Sequence, residues 1–135
     1  ITNNGNGGSD PNSYFLYNGI AFLQSRGVQV GATHIFNLFI PVPGNTSWGI
    51  WQTNGRRVAA ITERYMINLT SANPGIVNGA LGLWGHELGH AYGLDHPIPD
   101  DQTTIMSTPN GLSKYPNCVL LPHEKNILLN NGFFF

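Results

Sequence analysis

Between His86 and His96 this chain is constrained to form a helix that stops abruptly and doubles back. The run His86-Glu87-Leu88-Gly89-His90-Ala91-Tyr92-Gly93-Leu94-Asp95-His96 has the pattern HExxHxxGxxH. His86 and His90 are four residues apart, so on a helix they share one face and can grip a single metal ion. Glu87 is rotated about 100° from His86 at 3.6 residues per turn, where it can lean over a water without becoming a ligand. His96 comes six residues after His90, too far along to be presented by the same helix face. Gly93 has no Cβ and can take positive φ, so it is expected to end the helix and return His96 to the metal. A bare HExxH arises by chance in many helices. The elongated pattern fixes five positions and encodes its own geometry.

Around this motif, periodicity predicts the other elements. Pro11 to Arg26 carries Phe15, Leu16, Ile20, Phe22 and Leu23 at helical spacing, with Asp10 as cap, Pro11 in the first turn and Gly27 closing it. Val28 to Val42 is rich in β-branched and aromatic residues and is read as a strand. Trp48 to Trp51 is a further short strand candidate before the Asn54-Gly55 turn, and Arg57 to Leu69 reads as another strand region. Asn73-Pro74-Gly75 marks a start, with Ile76 to Tyr92 helical after it. A loop is expected from Gly93 to about Leu121, then an amphipathic helix from Pro122 to Asn130 with Ile127, Leu128 and Leu129 inward. With no repeat and no linker, the expectation is a single α/β domain spanning 1–135.

The 135 residues suffice for one core. Only 10% are charged, against roughly a quarter in an average soluble domain. A net charge of -1 offers nothing that would draw a polyanion, so neither nucleic acid nor an anionic membrane is an expected partner. No apolar run approaches the roughly 18 residues of a membrane span. The chain reads as opening without a signal peptide, so Ile1 is expected to start a mature or expressed domain. Cys118 is the single cysteine; it forms no internal disulfide and reads as a small buried hydrophobe.

The extended motif resembles the signature of the metzincin clan of zinc metalloendopeptidases, which place a methionine turn beneath the metal. Met106, in Thr104-Ile105-Met106-Ser107, comes ten residues after His96 and looks like that turn. The resemblance implies a small mixed sheet with a backing helix, an active-site helix, the methionine turn and a C-terminal helix. It implies one catalytic zinc on His86, His90 and His96, with Glu87 as general base and acid in peptide-bond hydrolysis. It further implies a secreted or extracytoplasmic monomer acting on a peptide or protein. Substrate would extend along an edge strand within Trp48 to Ile61, with a pocket walled by the helix and Ser107 to Tyr115. The chain departs from named branches. Thr108 stands where some have a zinc-binding tyrosine, Ser107 where the matrix-type branch has proline, and no multi-cysteine frame is present. No subfamily is assigned.

Two other readings compete. A ribosomal-RNA maturation family ends its histidine pattern in Asp-His, like Asp95-His96, but lacks the glutamate found here as Glu87. A binding module could keep zinc as a structural staple, although such sites close all four positions with protein ligands and no fourth is evident. His34 and His123 are isolated and read as satisfied or surface residues. Asp95 is read equally as a partner supporting the ligand loop or as a solvated turn residue. Asp10, Asp100 and Asp101 could offer oxygens to a structural calcium, but without an ordered loop of alternating ligands.

Overall fold

A computed structural model describes residues 11–29, 35–40, 58–107 and 114–130. In chain order these form α1 (Pro11–Ser25), β1 (Phe36–Ile40), β2 (Val58–Thr62), α2 (Glu63–Leu69), α3 (Pro74–Ala91) and α4 (Pro122–Asn130). The strands run parallel, with Phe36 opposite Val58 and Ile40 opposite Thr62. α1 packs against β1, and α3 packs against β2 and α2. Alternation along β2 turns Ala59 and Ile61 inward, where both are buried. Ala80 and Leu83 of α3 share that core with Ile20, Leu94 and Met106. Trp84 Nε1 donates to Asn37 Oδ1 at 3.4 Å, tying α3 to β1 as well.

This corrects the expected fold class. The α/β arrangement with a small mixed sheet is absent among the described residues, which hold four helices and a single parallel pair of five-residue strands. One cause lies in 57–69. Tyr65, Ile67 and Leu69 alternate as a strand would, but Glu63, Arg64, Met66 and Leu69 are strong helix formers, and the strand ends at Thr62 with α2 following directly. Ile67 is exposed on α2. Val28 and Gln29 are likewise not strand. Trp48 to Trp51, Asp10 and His34 lie outside the described residues.

Local chemistry explains the helix ends. Asn73 caps α3 by accepting the Gly75 N–H at 2.9 Å, with Pro74 in the first position where no N–H is required. α1 closes through Gly27 at φ 78, with Gly27 N–H to the Gln24 carbonyl and Val28 N–H to the Leu23 carbonyl, both 3.0 Å. α3 closes in the same way through Gly93 at φ 96, its N–H bonding the His90 carbonyl and that of Leu94 the Gly89 carbonyl, both 2.9 Å. α4 spans Pro122–Asn130 as expected, but Ile127 and Leu129 are exposed, against the inward face assigned to them.

Candidate metal centre

The reversal at Gly93 assembles the site. It buries Leu94, at 1% exposure, and turns its carbonyl back toward the helix, where it accepts from His90 Nδ1 at 2.7 Å. The Ile105 carbonyl accepts from His86 Nδ1 at 2.8 Å. A carbonyl cannot donate, so both Nδ1 atoms carry the proton and both Nε2 atoms present lone pairs. Those atoms converge with that of His96. His86 and His90 Nε2 are 3.2 Å apart, and each lies 3.1 Å from His96 Nε2.

The electrostatics match. Burial pushes the His86 imidazole down to about 4, outweighing the opposing effect of the Ile105 carbonyl. Burial also lowers His90, against its bond to Leu94. Both rings are therefore neutral near pH 7, and their Nε2 lone pairs converge closely enough to serve as donors to a single cation. These three histidines can hold a metal ion, and among the described residues they are the sole such cluster. The site is graded: His86 is buried, His90 half-buried and His96 exposed, so it opens toward solvent on one side. Glu87 is 6% exposed beside His86 and does not belong to the ligand cluster.

Neither a family model, nor a curated protein, nor a solved structure matches this sequence.

Met106 is fully buried, and its thioether lies against Gly89, where an added Cβ would overlap Sδ and sit 3.1 Å from Cε. Ile105 lies against Gly85 in the same way, with Cδ1 2.6 Å from an added Cβ. The Gly85/Gly89 stripe thus admits the 104–107 loop to the helix, and the His86/His90 stripe one residue on carries the nitrogens. Sequence reasoning had not singled out these glycines, although their four-residue spacing in step with the histidines is a readable signal. The Ile105 and Leu94 carbonyls carry no such signal.

Two predictions follow from this packing. Gly89→Ala should destabilise the chain by about 1–3 kcal/mol through overpacking against Met106, offset by up to about 1 kcal/mol of helix propensity. A denaturant midpoint above the parent's would show that the close contact is not there. Met106→Leu, a near volume-conserving swap, should cost at most about 1.5 kcal/mol and leave bound metal unchanged. Loss of metal in that variant would mean that the sulfur itself bonds the ion.

Among the remaining expected residues, Asp95 is exposed, and its charge raises His90 as the smallest of four influences. Asp101 accepts from the Thr103 N–H at 2.9 Å and from its hydroxyl at 2.6 Å, and Asp100 accepts from Gln102. His123 is exposed on α4. Burial raises the half-buried Cys118 thiol. Asp10, His34, most of the proposed edge-strand segment and residues 108–113 of the proposed pocket wall lie outside the described residues. Among those described, no helix is long and apolar enough to cross a membrane.

Proposed function

We propose that this chain is a zinc-dependent metalloendopeptidase, with His86, His90 and His96 holding the metal and Glu87 as general base. The observation that carries the reading is the Nε2 triangle with sides of 3.1–3.2 Å. Tetrahedral zinc with Zn–N bonds of about 2.0–2.1 Å sets its ligand nitrogens about 3.3 Å apart. Three imidazole nitrogens with one open side match a catalytic donor set, where a structural site would close the fourth position. When bound, zinc acts as a Lewis acid, polarising the scissile carbonyl and making water acidic enough to attack near neutral pH.

The chain's own residues supply the rest. Glu87 lies next to His86 in sequence and outside the three-histidine cluster, and in this reading its carboxylate takes a proton from the attacking water. Oxygen adds to the carbonyl carbon, the C–N bond breaks, and Glu87 returns that proton to the leaving amine. His86 and His90 keep their orientation through the Ile105 and Leu94 carbonyls. In this reading the substrate is a peptide or protein, and the metzincin resemblance implies a monomer acting outside the cytoplasm.

The test is hydrolysis of a peptide library by the purified chain, before and after chelation and after zinc is restored. Activity should vanish with the metal and return with it. Elemental analysis finding no transition metal at any stoichiometry would rule the proposal out.

A further inference from the structure

We infer that Thr104 and Glu124 form a positioning pair for the histidine site, holding from α4 the loop that orients His86 and packs beneath the ligand helix. Glu124 is 1% exposed and Thr104 fully buried. The Thr104 hydroxyl lies 2.8 Å from Glu124 Oε1 and 2.7 Å from Oε2. Its single proton goes to the carboxylate, leaving its oxygen to accept the Met106 N–H at 3.1 Å. Glu124 Oε2 also accepts the Leu121 N–H at 2.6 Å. That last bond is half of a capping box, since Leu121 precedes Pro122 and its carbonyl accepts the Lys125 N–H at 2.9 Å.

Capping alone does not require burial, because a glutamate at the third helical position can reach back from the surface. Burying this carboxyl carries a desolvation penalty that only well-formed hydrogen bonds offset. Both of its oxygens lie within hydrogen-bond distance of the one Thr104 hydroxyl, twenty residues away in sequence. The bonded chain from Leu121 through Glu124 and Thr104 to Met106 therefore brackets Ile105. Ile105 supplies the carbonyl for His86 Nδ1, donates its own N–H to the Val119 carbonyl at 3.2 Å, and sets its side chain on Gly85. If Thr104 lets the loop slip, the Ile105 carbonyl leaves His86 and the ring can move its proton to Nε2. That tautomer has no lone pair to offer the metal from Nε2.

Thr104→Val removes the donor and the acceptor at nearly constant shape, and Thr104→Ser restores both. The affinity readout rests on the metal-site reading, so a second readout is taken without metal. Zinc affinity is measured by competition with a chelator, and the His86 tautomer by ring 1H–15N spectra of the zinc-free chain. Circular dichroism checks the fold. Thr104→Val should weaken zinc binding by about 10–100-fold and shift His86 toward the Nε2–H form, with Thr104→Ser matching the parent in both. Glu124→Gln should move both readouts in the same direction, and it decides the matter if Thr104→Val does not fold. Parent-like affinity and tautomer in the folded variants would overturn the inference, leaving Thr104 and Glu124 as stabilising residues only. If the parent binds no zinc, the metal reading fails, while the His86 tautomer in the zinc-free variants still decides the positioning role.

Discussion

Glu87→Ala is expected to hold zinc at the parent's stoichiometry and lose about 10²–10⁴-fold in peptide turnover. The separation follows from geometry: Glu87 is buried next to His86 in sequence, yet the ligand cluster is complete without it. Glu87→Gln is the shape-conserving companion, keeping side-chain volume while removing the base, and it should lose turnover to a similar degree. The check pairs zinc content with hydrolysis rate on the same preparations. Cleavage at the parent rate by either variant would mean that another group takes the water proton. A parent that holds zinc and cleaves nothing would instead favour the zinc-stapled binding module.

His90→Ala should fail in a different way. It removes one corner of the Nε2 triangle and leaves two nitrogens to hold the ion. Metal affinity should fall by more than the 10–100-fold typical of losing a residue that only supports a ligand, and activity should fall with it. Titration with zinc under a competing chelator measures the first, and peptide hydrolysis at saturating zinc the second. Full retention of metal by His90→Ala would show that the ion, if bound, sits elsewhere. Together the two variants separate a residue that holds the metal from one that moves a proton beside it.

Much of the site was legible because its spacing is local. A spacing of four positions from His86 to His90 places them on one helical face whatever surrounds them, and a glycine at 93 can reverse the chain without a partner. α1, α3 and α4 were readable within two residues at each end for the same reason: Pro11, Pro74 and Pro122 suit first turns, and Gly27 and Gly93 suit left-handed closures. These are properties of a few consecutive residues, so no tertiary information is needed to see them.

What tertiary structure alone decided lies where distant segments meet. Residues 63–69 alternate like a strand, yet with no second face to bury they follow their helix propensity, and the mixed sheet expected around them does not form among the described residues. The histidine tautomers depend on the Leu94 and Ile105 carbonyls, backbone groups that every residue carries and no sequence pattern distinguishes. Nothing in the sequence sets Glu124 apart from any acid in a helix's first turn, because burial and the hydroxyl of Thr104 reach it only through folding. Sequence by itself determined which three nitrogens could meet, since helix pitch and one reversal suffice for that. Their protonation and aim came from packing, because a lone pair is directed by the bond its ring makes on the far side.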